Sequence, residues 1–310
     1  MNTERPLIVV VGATGIQGGS VVNQLIDTMQ FSIRGLTRHT TSEAAKKQTS
    51  RGVEMVKCDL NSLDDLTRAF QGAYGVFAMT DFWQREVMAN PELEVQQGRN
   101  IADAAKRTGV QHLVYSSLPD AKKISHGKYT GVLHFNNKAE VETYMKSLQL
   151  PATYVNFGYY MSNWTIDRSM YRHVEHDDYE VDMPVAASTL VPPFDALGDG
   201  GRCVVHCLRN PRATIGQSYD LAVEYMTLAD MAETLSRVTR KNIRVKELTP
   251  EECTRHPIYK LTEITEMYHF IREFGYFGGR SLERTNDTFG TLLNFEDYLI
   301  ENQFDKILEQ

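Results

Sequence analysis

The residues whose types and spacing speak most directly of chemistry lie near the start of the chain. Gly12-Ala13-Thr14-Gly15-Ile16-Gln17-Gly18-Gly19 follows an apolar run, Leu7 to Val11, and opens a helix-forming stretch. In a strand–loop–helix unit the first glycine, Gly12, permits a sharp turn. Gly15 lets the backbone approach a pyrophosphate, and Gly18 lets the helix sit close to the strand. The N–H groups of the loop and helix start, from Thr14 through Ile16 and Gln17, then meet a phosphate along the helix dipole. An ordinary glycine-rich turn is the bland alternative, and the order of strand, loop and helix argues against it.

The end of the second strand bears on which dinucleotide would bind. An NAD site places an acid there, about 20 residues past the loop, on the ribose hydroxyls. No Asp or Glu stands between Asp27 and Glu43; Thr37-Arg38-His39 occupies that place instead. A guanidinium clamps a 2′-phosphate through paired hydrogen bonds, so Arg38, with His39 beside it, points to NADP(H). A plain surface arginine is the competing reading. Asp59-Leu60, after the third strand, falls where the adenine ring would lie, and Asp59 serves equally well as a helix cap.

These residues need a frame, and the first 150 residues supply one. Short apolar strands alternate with helical stretches: strands at Leu7–Val11, Phe31–Thr37, Glu54–Cys58, Tyr74–Met79, His112–Ser116 and Ala152–Phe157. Between them run helices at Gly18–Thr28, Ser42–Arg51, from Ser62, at Val95–Thr108 and at Leu133–Leu148, the third opened by Ser62 and Asp65 as an acidic form of the capping box. Such alternation predicts a Rossmann-type, doubly wound α/β sheet, with ligands at the carboxyl ends of its strands. Thr80 and Phe82 after the fourth strand, and Phe157, Tyr160 and Asn163 from the end of the sixth, are therefore expected on the cofactor side. Phe82, Trp83, Phe157, Tyr159, Tyr160 and Trp164 either line a pocket for a flat organic molecule or pack one lobe on another. The expected division is 1–157 for the nucleotide domain and 158–310 for a smaller α+β lobe, with helices at Thr227–Thr239 and Phe295–Leu308 and the chain crossing between the two.

Composition narrows the partners. The chain has 310 residues, 42% hydrophobic and 24% charged, with a formal net charge of -7. An acidic balance disfavours direct nucleic-acid binding, and no apolar run approaches the length of a membrane span. Four cysteines do not suggest a disulfide framework. The expectation is a cytoplasmic protein, with the nucleus and a homodimer also open to it, meeting a regulatory protein or a small aromatic substrate. Two metal-like spacings, Cys203/His206/Cys207 and His173-x-x-His176-Asp177-Asp178, read as a packed helix and a solvated acidic loop; no metal is expected.

The sequence resembles the NmrA-like family, atypical members of the short-chain dehydrogenase/reductase superfamily. The resemblance runs nearly the whole length. It rests on the glycine loop, Thr37-Arg38, Tyr115-Ser116, His134-Phe135-Asn136-Asn137-Lys138 with Val141-Glu142, and Tyr159-Tyr160-Met161-Ser162-Asn163. Gly216-Gln217 and Leu248-Thr249-Pro250-Glu251 are similar to its NADPH-sensor branch. The resemblance implies a Rossmann domain with a small C-terminal lobe and NADP(H) in the cleft between them. The family contains redox-sensing regulators with little or no catalysis as well as NADPH-dependent reductases.

Classical members of that superfamily use a tyrosine and a lysine one helical turn apart, the lysine lowering the phenol's pKa and holding the nicotinamide ribose. None of the 15 tyrosines here has a lysine four positions later. His134 and Lys138 stand at the corresponding place, on one helix face. Lys138 either binds ribose hydroxyls alone or supports catalysis; His134 is either a proton donor or a structural imidazole. Ser116 and Ser117 either polarise a carbonyl or satisfy local backbone groups. Three functions compete: a regulator reading the NADP(H) pool, which ranks first; an NADPH-dependent reductase of a small aromatic or conjugated carbonyl, imine or quinone; and a structural interaction protein with a vestigial nucleotide loop, which the intact glycine loop and Arg38 disfavour.

Overall fold

Five apolar residues between Pro6 and the Gly12 turn form an inner strand of a seven-stranded sheet in the computed structural model, which describes residues 5–166, 171–175 and 178–304. In chain order the elements are β1 (Leu7–Val11), α1 (Ile16–Thr28), β2 (Ser32–Thr37), α2 (Glu43–Ser50), β3 (Glu54–Lys57), α3 (Leu63–Phe70) and β4 (Ala73–Ala78). Then come α4 (Arg85–Ala89), α5 (Glu92–Thr108), β5 (His112–Ser117), α6 (Ala121–Ile124), α7 (Leu133–Ser147) and β6 (Ala152–Phe157).

The remainder is more broken: β7 (Tyr159–Tyr160), α8 (Asn163–Ile166), β8 (Tyr171–Glu175), β9 (Asp178–Met183), β10 (Leu190–Val191), β11 (Pro193–Phe194), α9 (Asp199–Arg209), α10 (Pro211–Thr214) and β12 (Ser218–Leu221). It ends with β13 (Met226–Thr227), α11 (Leu228–Thr239), β14 (Asn242–Glu247), α12 (Pro250–Arg255), α13 (Thr262–Phe274), α14 (Glu283–Phe289) and α15 (Phe295–Glu301). The last part of the expected Phe295–Leu308 helix, from residue 305, lies outside the described residues.

The strand order is β12-β6-β5-β4-β1-β2-β3, and the β3–β2–β1–β4–β5–β6 ladder is parallel throughout. The order reverses beside β1, so the crevice where a doubly wound sheet takes its ligand falls at the carboxyl ends of β1, β2 and β4. Parallel strands covered on both faces must be apolar on both; Ile8, Val9, Val10 and Val11 are all buried accordingly. The helices bury one stripe each: Leu66, Ala69 and Phe70 of α3 meet Val95, Ile101, Ala102 and Ala105 of α5 in one core cluster.

The chain folds into two compact units, each assembled from separate stretches of sequence. The first combines residues 1–118, 134–156 and 196–219, and so takes α9, whose Gly201 N–H donates to Ser20 Oγ of α1 at 2.8 Å. The second combines 119–133, 157–195 and 220–310. Its three-stranded sheet pairs β14 parallel and β8 antiparallel to β9. Capping boxes open α11 (Thr227 with Asp230) and α12 (Thr249 with Glu252). Ser62 caps α3 by accepting from Asp65 N–H, but the reciprocal half of the expected box does not form: Asp65 accepts instead from Asp59 N–H and Arg68. No helix among the described residues is long and apolar enough to cross a membrane.

Candidate functional site

The loops leaving β1, β2, β3 and β4 line one groove of about 290 Å³. Gly12 turns the chain with φ of 69°, a left-handed conformation that a side chain rarely tolerates. A Cβ on Gly18 would fall 2.2 Å from the Gly12 carbonyl oxygen, so α1 packs against the loop only with glycine there. At Gly15 the same Cβ meets nothing nearer than that oxygen at 3.5 Å. The protein's own packing makes no demand for glycine at 15; its open side is the groove. No side chain caps α1 and no acid sits in its first turn, so its positive end is offset by neither.

Gly12, Thr14, Gly15, Ile16, Gln17, Gly18, Arg38, His39, Asp59 and Leu60 all line this groove. A helix start for a pyrophosphate, a guanidinium for a further phosphate, and a polar turn beneath an apolar edge make a donor set that suits a dinucleotide. Asp59 does not cap the next helix, which is Ser62's task; its Oδ1 accepts from Asn61 N–H at 2.9 Å. From α5, Gln97 donates to Asn61 Oδ1 at 3.0 Å and Asn100 to the Leu60 carbonyl at 2.9 Å, fixing the turn.

Arg38 is half-exposed and already engaged. Its Nη1 donates to Gln84 Oε1 at 2.7 Å and lies 3.6 Å from Glu86 Oε1. Gln84 and Glu86, both groove-lining, went unrecognised in the sequence, although they sit just after the fourth strand, where the strand-end rule would have found them.

Thr80 and Lys138 lie in a separate, buried network of the same unit. Lys138 Nζ donates to the Thr80 carbonyl (2.6 Å), to Thr80 Oγ1 (2.8 Å) and to Glu94 Oε1 (2.7 Å). Thr80 Oγ1 donates onward to Glu94 Oε1 at 2.8 Å, and Asn137 Nδ2 donates to Glu94 Oε2 at 3.2 Å. An ammonium has three donors, and all three are spent. Glu94 is wholly buried on α5; the apolar periodicity of that helix gives no sign that a carboxylate on it turns inward. Burial, and then the charge of Glu94, hold the Tyr115 phenol well above its ordinary ionisation range.

His134, one turn before Lys138, is buried among rings. Its centroid lies 5.9 Å from Phe82, 5.2 Å from Trp83 and 4.8 Å from Phe135, with Trp83 44% exposed at the edge. Ser116 and Ser117 end β5 buried, and the Ser117 hydroxyl finds no hydrogen-bond partner among the described residues. Phe157, Tyr160 and Asn163 belong to the second unit. There Phe157 packs 5.6 Å from Phe194 and 6.4 Å from Tyr160, while Asn163 opens α8 exposed. Tyr159 shares a 2.8 Å hydroxyl contact with Tyr268, and Trp164 is buried beside Phe295.

No group of three or more His, Cys, Asp or Glu side chains among the described residues is placed to hold a metal. Cys203 and Cys207 are buried on α9, and burial pushes the Cys207 thiol up to about 12. His176 and Asp177 of the second metal-like spacing lie outside the described residues.

A doubly wound sheet with a glycine-turned groove at its switch point defines a nucleotide-binding α/β protein. Residues 4–299 match the NmrA-like family, and the chain belongs to it. An NmrA-like family domain-containing protein of Dictyostelium discoideum is 26% identical over 302 residues, 94% of this chain and 96% of that protein. The NmrA-like family domain-containing oxidoreductase FrzB of Cladobotryum sp is 28% identical over 288 residues, covering 87% and 84%. In fold, the chain resembles NmrA, a negative transcriptional regulator solved in complex with NADP, with a TM-score of 0.78 and 23% identity over 96% of this chain and 94% of that one.

Proposed function

We propose that this chain binds NADP(H) in the groove and acts as a redox-responsive regulator, passing the state of the cofactor pool to a protein partner. For the cofactor, the support is the Gly12–Gly18 loop joined to Arg38 in one groove, and the NADP held by NmrA in a structure of the same fold. The pyrophosphate would lie at the α1 start, a 2′-phosphate at Arg38 and the adenine near Asp59-Leu60. When bound, the nicotinamide would supply hydride chemistry.

One observation carries the regulatory reading. Lys138 has no donor left over for a ribose or a phenol, because Thr80 and Glu94 take all three. With no tyrosine one turn before it, the chain lacks the proton-delivery pair of the classical reductases, whereas a regulator needs only a dinucleotide-dependent shift between two states. A second reading, an NADPH-dependent reductase of a small aromatic or conjugated carbonyl, imine or quinone, is favoured by the Phe82–Trp83–His134 cluster, which sets the partly exposed Trp83 ring 5.2 Å from an imidazole. FrzB, a relative named as an oxidoreductase, leans the same way.

The deciding experiment follows NADPH consumption by the purified protein against a panel of carbonyls, imines and quinones. The regulatory reading expects tight NADPH binding by calorimetry without turnover. Turnover on the order of 1 s⁻¹ or faster, ordinary for an enzyme, would overturn it in favour of the reductase.

A further inference from the structure

The sequence between Asp27 and Glu43 contains no acid to bind ribose hydroxyls, but the fold brings one in from elsewhere. Glu86 enters the groove from the segment after β4, and its Oε1 lies 3.6 Å from Arg38 Nη1. Both side chains are about half exposed, at 54% and 52%, so either is free to turn toward a ligand without emptying the core. A carboxylate accepts hydrogen bonds from vicinal hydroxyls and repels a phosphate; a guanidinium does the reverse for the phosphate. Gln84 Oε1, 2.7 Å from the same guanidinium nitrogen, holds Arg38 against this segment and adds no charge of its own.

We propose that Glu86 is a specificity-determining residue of the dinucleotide site: it competes with a 2′-phosphate for Arg38 and accepts the 2′-hydroxyl of a dinucleotide that lacks the phosphate. This rests on the assignment of Arg38 as the 2′-phosphate clamp. Arg38 and Glu86 then form a paired selector, one favouring NADP(H) and the other NAD(H), and the preference of the natural chain is the balance between them. The consequence is a crossed pattern that neither residue alone would produce. Removing the acid strengthens one dinucleotide and weakens the other; removing the base does the opposite to at least the phosphorylated one.

The test is calorimetric titration of NADP⁺ and NAD⁺ into the natural protein, Glu86→Gln, Arg38→Ala and Asp64→Asn. The last removes one negative charge from an exposed site of the same unit outside the groove. Glu86→Gln is expected to tighten NADP⁺ about threefold and weaken NAD⁺ by a similar factor, changes of the size that half-exposed charge pairs give. Asp64→Asn should move neither. If Glu86→Gln shifts both dinucleotides equally, or neither, while Arg38→Ala still loses NADP⁺, the selector role of Glu86 is wrong and the clamp stands. If Arg38→Ala binds NADP⁺ as well as the natural chain does, the clamp itself fails and the competition with it. Circular dichroism of each variant confirms that these exposed substitutions leave the fold intact.

Discussion

Lys138 and Glu94 form a buried ion pair, Nζ to Oε1 2.7 Å, closed on itself through the Thr80 hydroxyl and capped by the Asn137 amide. The pair ties α7 to α5 and to Thr80, two residues past β4. Its value to the protein therefore lies in position as much as in charge. A buried pair gains little over apolar side chains of equal size, but half of one is costly, because the survivor keeps its charge without a partner.

Glu94→Ala should accordingly lower stability by about 3–5 kcal/mol, read as a shift in the urea midpoint with the slope unchanged. The double variant Glu94→Leu with Lys138→Met should recover most of that loss, since it buries no orphaned charge. A single-variant cost below about 1 kcal/mol, the range of exposed pairs, would mean that water reaches the pair and that Lys138 keeps a donor for a ligand.

Gly15 separates the demands of folding from those of binding. Its missing Cβ faces the groove and touches only the Gly12 oxygen, at 3.5 Å, so a branched side chain there should be tolerated by the fold. The pyrophosphate, however, must approach that backbone closely. Gly15→Val should melt within a few degrees of the natural protein and show no NADPH binding by calorimetry. Normal NADPH affinity in this variant would place the phosphates elsewhere.

His112 predicts a pH dependence of stability. It is fully buried on β5, and burial lowers its pKa to about 4. Thr153 Oγ1 gives its only proton to the Thr214 carbonyl, so at the 2.8 Å contact the imidazole Nε2–H must be the donor to Thr153. Nδ1 is left unprotonated with no hydrogen-bond partner among the described residues, and protonating it would bury a charge without one. Above about pH 6.5 the residue is neutral folded and unfolded, and contributes no slope. Between about 6.5 and 4 the unfolded chain takes up a proton that the folded one refuses, so stability falls as pH falls, by about 3 kcal/mol in all. Denaturation at a series of pH values should show this component, and His112→Gln should remove it. An unchanged slope in the variant would assign the acid sensitivity to other groups.

Much of this was legible in the sequence. The six parallel strands and the helices between them follow from apolar runs of strand length alternating with amphipathic stretches, and the three glycines at 12, 15 and 18 mark the phosphate end without ambiguity of order. What escaped were residues whose role depends on meeting across the fold. Glu94 is one charged residue in a helix carrying several, and nothing local marks it as the one that turns inward. Glu86 reaches Arg38 across 48 positions of sequence, a juxtaposition created only when β4 pairs beside β1. Residues 178–247 were illegible as a sheet because β9 and β14 pair across more than 60 residues with mixed charged and apolar faces.

His134 offers the last prediction, because packing and proton chemistry ask different things of it. Three rings, Phe82, Trp83 and Phe135, lie within 6 Å of its centroid. Truncation to alanine removes those contacts and opens a void among them, which should cost about 1–2 kcal/mol and shift the emission of the edge residue Trp83. His134→Phe keeps a ring in place but carries no proton. In the regulatory reading the phenylalanine variant keeps the NADPH affinity of the natural chain and loses less stability than alanine does. In a reductase using this imidazole as its acid, both variants lose turnover by about 10²–10⁴-fold, the usual worth of a general acid, even though His134→Phe stays folded. Urea denaturation, NADPH titration and the substrate panel on these two variants therefore separate a packing histidine from a proton donor. Collapsed turnover in a folded His134→Phe would be the result that moves this chain from the regulators to the enzymes.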